Sequence, residues 1–356
     1  MKQLNYPIDK LDIKLIIEED DNETLQSLEN LKLESPFHIV KVPYSLPRTK
    51  AKACNYALPM VRGKYIGIYD AEDVPDPNQL KKVIAKFSTL PHEVVCIQAK
   101  LNYFNRNENV LTKLFSLEYL VWFDFILPAL QYLNIPIPLG GTSNHFIASK
   151  LRELGGWDQY NVTEDADLGI RIARAGYKTY VIESLTLEEA PINVSIWFNQ
   201  RSRWIKGYMQ TYIVHMRNPI TLYKELGFIS YLGIQFFLGV FTLSFILNPF
   251  AIIGWIIFMI TDIKWLFIPI IITYLWKTNL VVSLVNMIKF KIAAKYIDIN
   301  IFCIMLFPIY FLMISAASFK SLWQLIFKPY YWDKTIHGLT KYKRINIKIY
   351  DKYFLK

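Results

Sequence analysis

Short apolar segments alternate with amphipathic ones through the first half of the chain. Apolar runs typical of buried strands occur at residues 11–17, 38–42, 64–69 and 94–98. Segments with helical spacing lie between them. Strands separated by helices of this length are typical of a parallel sheet that is covered on both faces. The pattern therefore predicts an α/β domain over residues 1–190 with a mostly parallel sheet.

The apolar runs lengthen after residue 228, where the composition becomes that of membrane helices. Three runs are long enough to cross a bilayer, at residues 228–247, 265–288 and 299–319. A fourth run, at residues 250–260, is too short to span alone. We therefore expect a multi-pass transmembrane region over residues 228–327.

Basic segments set the expected orientation in the membrane. Lysine-rich stretches at residues 289–295 and in the tail, residues 328–356, both favour the cytoplasm, and a re-entrant or interfacial helix, at a segment that the sequence does not identify, would reconcile the two. The N-terminal residues have no apolar secretory signal, so the first domain is expected in the cytoplasm.

Residues 111–133 are apolar but are interrupted by charges, which predicts a helix packed on the domain or lying near the membrane.

Residues 194–212 join the two regions and are predicted to form a helix with two faces, within an interfacial region at residues 191–227. One face is aromatic with a single arginine and suits a membrane interface; it comprises Trp197, Phe198, Arg201, Ile205, Tyr208 and Tyr212. The other face groups Gln200, Arg203 and Trp204. Arginine matches the geometry of a phosphate, and an indole offers a flat surface to a sugar ring. This face therefore suits a sugar diphosphate, and a simple interfacial anchor is the alternative.

The composition indicates a membrane-associated protein. The 356 residues are 53% hydrophobic and carry a net charge of +10. The basic residues lie beside apolar spans rather than in one block interleaved with aromatics, which favours anionic lipid headgroups over nucleic acid as a partner. Three cysteines, Cys54, Cys96 and Cys303, are far apart, so neither a disulfide framework nor a structural zinc site is expected.

Four acids, at residues 18–21, follow the first predicted strand. Ligand crevices in open α/β sheets lie beyond the carboxyl ends of the strands, so Glu18 and Asp20 are candidates for contacting a base or ribose. An acidic turn that caps the next helix is the alternative. Lys50 and Lys52, in the basic loop after the second strand, are candidates for contacting a phosphate, although solvated lysines are commoner.

A second acidic group, Asp70, Glu72 and Asp73, follows the third predicted strand. Magnesium is usually held by one or two carboxylates together with substrate phosphates, and a strand end presents such acids well. A helix cap explains one of these acids and leaves the others unexplained. The group therefore predicts a divalent-cation site.

Two later segments add polar side chains. The loop at Gly140 and Gly141 must bring the backbone close to a neighbour, and Ser143 and Asn144 after it offer a hydroxyl and an amide to a sugar; a tight turn is the alternative. His145 is interpreted as structural.

Residues 163–176 are predicted to form a helix that is capped by Thr163 and ends at Gly176. Glu164 and Asp165 then lie at the positive helix end, which keeps Asp165 ionised as a general base requires.

The chain resembles the membrane-embedded family 2 glycosyltransferases, the branch that includes cellulose, hyaluronan and chitin synthases. The resemblance rests on the motifs DAED, TED and QRSRW in this order, followed by apolar spans and PYYWDKTIHG. It implies a GT-A-like domain and inverting transfer of a sugar from a nucleotide diphosphate. It assigns a cation, Mg²⁺ or Mn²⁺, to Asp70 and Glu72, the base to Asp165, and the clamp on donor diphosphate and acceptor to Gln200, Arg203 and Trp204.

Neighbouring residues are alternatives or additions to these assignments. Glu164 is grouped with Asp165 as catalytic, and Arg201 with the donor or acceptor contacts. Glutamate stands at the second acid of the DxD motif, so either Glu72 or Asp73 holds the metal. The family begins with a strand that ends in a Pro-x-Tyr-Asn-Glu type turn, and this chain starts after it. We therefore expect an unpaired sheet edge, with residues 18–21 carrying nucleotide recognition almost alone.

The expected protein is a glycosyltransferase of the cell (inner) membrane with a cytoplasmic catalytic domain. It is expected to move a sugar from a UDP-linked donor to a polysaccharide or a lipid-linked acceptor. Two alternatives stay open: a lipid-phosphate sugar transferase that adds one residue and stops, and an inactive scaffold that binds a partner synthase.

Overall fold

The protein is described by a computed structural model for residues 1, 3–260, 303, 305–332 and 338–340. The strands in these residues are β1 (Ile13–Glu18), β2 (Phe37–Val42), β3 (Tyr65–Ile68), β4 (Val74–Pro75), β5 (Val94–Tyr103), β6 (Asn144–Ile147) and β7 (Lys178–Glu188). The helices are α1 (Asn22–Asn30), α2 (Lys50–Ala57), α3 (Gln79–Phe87), α4 (Val110–Val121), α5 (Leu127–Tyr132), α6 (Ala148–Glu153), α7 (Glu164–Arg174), α8 (Val194–His215), α9 (Pro219–Ile234), α10 (Phe241–Ile260) and α11 (Phe307–Phe327). Short π-helical segments join α4 to α5 and α9 to α10.

The strands form two sheets, and the larger one is mixed. Its order is β3-β6-β5-β7-β4, and only its β5–β7 pair is parallel. The prediction of a mostly parallel sheet is therefore wrong for this sheet, because β6 enters antiparallel between β3 and β5. An apolar pattern reports which face of a strand is buried and carries no information on strand direction.

The smaller sheet contains β1 and β2, which pair in parallel. Within the described residues β1 pairs with β2 alone, so its other edge has no strand beside it there. Every residue of β1 is only partly buried, whereas all residues of β5 are buried. The unpaired edge expected from the sequence is thus present in the described part of the chain.

The core lies on both faces of β5. On one face Cys96 belongs to a cluster that includes Phe123 and Leu127 of the α4–α5 segment. On the other face Ile97 packs with Val83 of α3. Of the two alternatives predicted for residues 111–133, packing on the domain is observed. The alternation along β5 gives the sheet its two covered faces.

The predicted helix at residues 194–212 is confirmed as α8, but its aromatic face does not reach a membrane interface. Trp197 is fully buried and Ile205 nearly so, in a cluster that includes Tyr310 and Ile314 of α11. Helical periodicity marks the apolar face without telling what covers it. Here α4 and α11 cover its first part, and a cluster that includes Leu222 and Ile234 of α9 covers Tyr208 and Tyr212.

Within the described part of the chain, two helical stretches are long and apolar enough to cross a membrane, Pro219–Gly254 and Phe307–Phe327. Only 11% of the most apolar part of the first is buried inside the protein, and 39% in the second. The run at 250–260, predicted to be separate, is continuous with α10, which contains Pro249. The predicted span at 265–288 lies outside the described residues. The predicted span at 299–319 overlaps α11 only in part.

Candidate active site

Asp70 and Asp73 lie in the loop between β3 and β4, at one end of the larger sheet. Asp73 Oδ2 accepts hydrogen bonds from the Asp70 backbone N–H at 2.7 Å and from the Thr142 hydroxyl. Its other oxygen, Oδ1, is shielded from solvent and has no hydrogen-bond partner among the described residues. Burial and the charge of Asp70 raise the pKa of Asp73 to about 7. One oxygen of Asp73 thus holds the loop, and the other is available to a ligand.

The β3–β4 loop supplies only some of the ligands that a divalent cation needs. No cluster of three His, Cys, Asp or Glu side chains suited to a metal occurs in the described ranges. Glu72 is partly buried in the same loop. Two carboxylates completed by substrate phosphates are an ordinary environment for Mg²⁺. The orphaned Asp73 oxygen beside Asp70 therefore fits a cation that arrives with a diphosphate.

Lys50, the first residue of α2, brings a positive charge to this loop. Its ammonium group donates to Asp70 Oδ1 and to the Gly141 carbonyl. Burial lowers the pKa of Lys50, but the charges of Asp70 and Asp165 outweigh this effect and raise the pKa well above its usual value. These acids have no basic residue next to them in the sequence, so only the fold reveals their ion pair.

Asp165 lies in the first turn of α7 and faces the same space. Trp157 Nε1 donates to Asp165 Oδ1 at 3.0 Å, and a Cβ atom on Gly141 would lie 3.9 Å from Asp165 Oδ2. Burial raises the pKa of Asp165 well above its usual range, and the charge of Glu164 adds to this effect. The sequence interpretation considered only the helix dipole, whereas desolvation and like charges raise the pKa of Asp165. Thr163 precedes the helix but makes no capping hydrogen bond.

Asp167, one turn into α7, points away from this space. His215 Nε2 lies 3.0 Å from Asp167 Oδ1, and Arg171 Nε donates to Asp167 Oδ2 at 2.7 Å. Burial raises the pKa of Asp167, but the His215 contact and the Arg171 charge outweigh it and lower the pKa. Asp167 thus ties α7 to the end of α8, which leaves Asp165 and Glu164 as the acids of the site.

The polar face of α8 completes the site. Gln200 is buried, and its Oε1 has no hydrogen-bond partner among the described residues. Trp204 packs against Phe115 and Tyr119 of α4, with ring centroids 5.8 and 6.0 Å apart. Burial raises the pKa of Glu164, and the charges of Lys50 and Arg203 oppose that shift. The charge of Arg203 on α8 therefore acts on the first turn of α7.

A C-terminal segment lies over this face of α8. The Arg203 guanidinium lies 4.7 Å from the centroid of the Trp332 ring. Lys206 Nζ donates to the Tyr331 carbonyl at 2.6 Å. Further on, Glu189 at the end of β7 accepts backbone N–H bonds from residues 338–340. The described ends of the PYYWDKTIHG motif thus contact α8 and the residue that follows β7.

Arg201 is placed differently from the prediction. Its two terminal nitrogens donate to the Glu118 carboxylate at 2.7 and 2.6 Å, and NH2 also lies 3.3 Å from the Tyr310 hydroxyl. This pairing corrects the assignment of Arg201 to donor or acceptor contacts. The sequence signal for it was Glu118, a carboxylate within an otherwise apolar helix, which requires a buried partner.

Ser143 and Asn144 are fully buried and bond within the protein. The Ser143 hydroxyl donates to Thr186 Oγ1 at 2.7 Å, and Asn144 Nδ2 donates to the Gly140 carbonyl at 2.6 Å. The Ser143 bond corrects the prediction that its hydroxyl contacts a sugar, whereas Asn144 Oδ1 has no hydrogen-bond partner among the described residues, so the sugar contact of Asn144 stays a prediction. The Asn144 bond holds the Gly140–Gly141 turn in place, as the tight-turn alternative requires. His145 is also buried, with Nε2 2.8 Å from the Tyr69 hydroxyl.

Two of the acids at the end of β1 form ion pairs, one with α2 and one with the loop that precedes it. Lys52 Nζ donates to Glu18 Oε2 at 2.9 Å. Asp20 Oδ1 accepts from Arg48 NH2 at 2.7 Å. Asp21 caps α1 by accepting from the Thr24 N–H at 3.1 Å. The capping alternative therefore explains Asp21 alone, and the predicted base-binding residues Glu18 and Asp20 lie together with two cations.

Glu188, at the end of β7, is a site residue that the sequence interpretation missed. Burial raises its pKa well above the usual range, and the charges of Asp73 and Asp70 add to that shift. Glu188 therefore belongs to the acidic group of the β3–β4 loop. Its sequence signal is the pair of acids that ends a strand just before a proline, the arrangement already used to select Asp70.

Comparison with known proteins adds a family and a fold. Residues 65–317 match the family model described as glycosyl transferase family group 2. A probable glycosyltransferase, YdaM, of Bacillus subtilis is 24% identical over 211 residues, which are 58% of this chain and 50% of the relative. The beta-monoglucosyldiacylglycerol synthase of Synechocystis is 24% identical over 253 residues, 66% of this chain and 50% of the relative. The chain thus spans about half the length of these curated relatives.

A solved structure supports the fold. It is the mannosyltransferase PcManGT from Pyrobaculum calidifontis, in complex with GDP-Man and Mn²⁺. The alignment has a TM-score of 0.59 at 17% sequence identity and covers 91% of this chain and 81% of that one. At this identity the likeness concerns the fold alone, which is a glycosyltransferase-like α/β fold with a mixed sheet.

Proposed function

This chain belongs to the family 2 glycosyltransferases, and on that premise we propose that it moves a sugar from a nucleoside diphosphate to a hydroxyl acceptor with inversion at the anomeric carbon. The observation that carries the proposal is the convergence of Asp70, Lys50 and Asp165 beside the polar face of α8. This arrangement offers a cation site, a positive charge and a base around one space. A family 2 member needs all three for such a transfer.

The reaction is a displacement in which the acceptor oxygen bonds to the anomeric carbon as the bond from this carbon to the diphosphate oxygen breaks. The hydroxyl proton passes to Asp165, and the electron pair leaves with the nucleoside diphosphate. The Trp157 indole N–H, 3.0 Å from Asp165 Oδ1, orients the carboxylate. A raised pKa makes Asp165 a stronger base than an exposed aspartate once it is ionised.

The developing charge on the diphosphate is met by Lys50 and by Arg203, whose guanidinium suits two phosphate oxygens. Gln200 Oε1, which has no hydrogen-bond partner among the described residues, accepts a hydrogen bond from a hydroxyl of the donor or the acceptor. Asp70, with Glu72 or Asp73, would hold Mg²⁺ or Mn²⁺. The cation would supply charge neutralisation at the phosphates. The Mn²⁺ and GDP-Man in the related mannosyltransferase support this assignment.

The nucleobase of the donor is proposed from the ion pairs of Glu18 and Asp20, and the acceptor is proposed from the apolar helix α9–α10. The ion pairs of Glu18 and Asp20 lie where the family resemblance expects the nucleotide, and we retain UDP as the first donor to test, with GDP as the second. The apolar α9–α10 helix supports a position in the cell (inner) membrane with the catalytic domain in the cytoplasm. A lipid-linked or polysaccharide acceptor follows from that position. A relative whose name specifies a glycolipid supports the lipid, and relatives described as probable glucomannan mannosyltransferases support the polysaccharide.

The test is transfer by the full chain in vesicles, with labelled UDP-sugars and GDP-mannose offered separately. We expect one donor to label a product, and Asp165→Asn to lower kcat by about 10² to 10⁴-fold while donor binding is retained. Asp158→Asn is the control, because Asp158 lies on the preceding loop and bonds to the Tyr160 N–H. Product length distinguishes a polymer from a single added sugar. Wild-type turnover by Asp165→Asn would refute the base assignment, and no transfer from any donor would favour the scaffold alternative.

A further inference from the structure

The end of α5 presents two apolar side chains to the outside of the catalytic domain. Tyr132 is 86% exposed and Leu133 is 51% exposed. The helix end that carries them is closed by backbone hydrogen bonds, from Ile135 N to the Leu130 carbonyl at 2.9 Å and from Asn134 N to the Gln131 carbonyl at 3.1 Å. Asn134 adopts the left-handed conformation that this ending requires, with φ of 54°. We call residues 132–133 the α5 tip.

The α5 tip is attached to the apolar helix α9. The Ser230 hydroxyl donates to the Asn134 carbonyl at 2.9 Å. Gly233, one turn later, lies so close to Ile135 that an added Cβ would be 2.3 Å from its Cγ2 atom. These contacts fix the position of the α5 tip along the axis of α9.

At this position the exposed apolar stretch of α9 begins. Gly227, with φ of 75°, interrupts the helical backbone of α9. Directly after it Phe228 and Ile229 are 61% and 62% exposed, and exposed apolar side chains continue along the helix at Leu232, Phe236, Val240 and Leu243. Such a stripe, on a helix long enough to cross a bilayer, is covered by lipid if the helix spans.

The part of α9 before Gly227 is amphipathic. Leu222 is fully buried and packs with Ile170 of α7, whereas Ile220 and Tyr223 are 68% and 47% exposed. Lys224, between them and the bend, is exposed as well. An apolar outer surface with tyrosine and lysine at its border is typical of a helix that lies at the membrane–water boundary. The bend at Gly227 thus marks the level of that boundary.

We propose that the α5 tip is a membrane-contacting element of the catalytic domain, and that its partner is a phospholipid bilayer with anionic headgroups. Three observations favour lipid over a protein partner. The tip is continuous with the exposed stripe of α9, it lies at the level of the Gly227 bend, and it contains a tyrosine, whose ring buries while its hydroxyl stays hydrated. Contact at both α9 and the tip restricts the tilt of the catalytic domain on the membrane. This proposal rests on the proposed membrane position of α9.

The test is a depth measurement on the full chain in vesicles of phosphatidylcholine and phosphatidylglycerol. Spin labels are placed at Tyr132→Cys and Leu133→Cys, in a background where the native cysteines are replaced by alanine. Two reference labels accompany them: Phe236→Cys on the apolar stripe, and Tyr56→Cys on α2, which is 40% exposed. Collision with oxygen reports lipid, and collision with an aqueous nickel complex reports water. Because each labelled side chain is exposed, these substitutions are expected to fold.

We expect the ratio of oxygen to nickel collisions to be severalfold higher at both tip positions than at Tyr56→Cys, and highest at Phe236→Cys. Tip labels that match Tyr56→Cys, while Phe236→Cys reports lipid, would overturn this proposal alone. A Phe236→Cys label in water would overturn the membrane position on which it rests. Low collision with both reagents at the tip would show that protein, such as a second copy of the chain, covers it, and this result also overturns the proposal. Sugar transfer is assayed separately, so none of these outcomes depends on the proposed reaction.

Discussion

Substituting Gly207 by alanine is expected to disturb the site by pushing apart the two helices that carry it. Gly207 lies on the polar face of α8. At this point α8 packs against Thr163, the residue that precedes α7. A Cβ atom at Gly207 would lie 2.2 Å from Thr163 Oγ1 and 2.4 Å from its Cγ2, whereas ordinary contacts begin at 3.4 Å. Both branches of Thr163 face the new methyl group, so a rotation of its side chain does not relieve the clash.

The helices must therefore separate by about 1 Å, since packed interiors have little room to absorb such an overlap. Overpacking of this kind costs about 1–3 kcal/mol of stability. The separation also moves Glu164 and Asp165 relative to Arg203. A misplacement of about 1 Å costs on the order of 10²-fold in rate when reacting groups must be aligned. We expect Gly207→Ala to lower kcat by about this factor.

Initial rates over a range of donor concentrations, with thermal unfolding of the same samples, measure both effects. Gly233→Ala is the matched control, because its Cβ would lie 2.3 Å from Ile135 Cγ2, in contact with a side chain outside the site. It should lower the unfolding temperature similarly but keep kcat within a few-fold. Adding Thr163→Ala to Gly207→Ala removes the two nearest atoms and should restore kcat by about tenfold. A folded Gly207→Ala enzyme with wild-type kcat would refute the claim that the contact between Gly207 and Thr163 sets the catalytic geometry.

Two further predictions concern the cation and the buried ion pair. Chelation with EDTA should abolish transfer and Mn²⁺ or Mg²⁺ should restore it, with Asp70→Asn requiring more cation for half-maximal rate; undiminished transfer in excess chelator would remove the metal role. Glu118→Gln should lower the free energy of unfolding by about 3 kcal/mol, the low end for a buried pair because Glu118 is 32% exposed. The control Glu153→Gln, which loses a surface pair with Lys150, should leave unfolding unchanged, and equal effects of the two variants would contradict the buried role.

The sequence alone determined the features that depend on local order along the chain. The acids after β3, the helix with Gln200 and Arg203, and the packed helix over residues 111–133 were all placed correctly. Each of these predictions depended on hydrophobic periodicity, a turn or a charge pattern within a few residues of the chain. A strand that ends in acids delivers them to one end of a sheet, and a helical period groups residues on one face whatever the rest of the fold does.

Only the tertiary structure decided which groups meet across the chain. The direction of β6, the Glu118 partner of Arg201 and the ion pair of Lys50 with Asp70 join residues that are far apart in sequence. The direction of the Asp165 pKa shift could not be predicted for the same reason, because burial and nearby carboxylates depend on what the fold packs around the helix end. A residue's own neighbours in sequence set its backbone conformation, whereas its charge state and its partners depend on the whole packed arrangement.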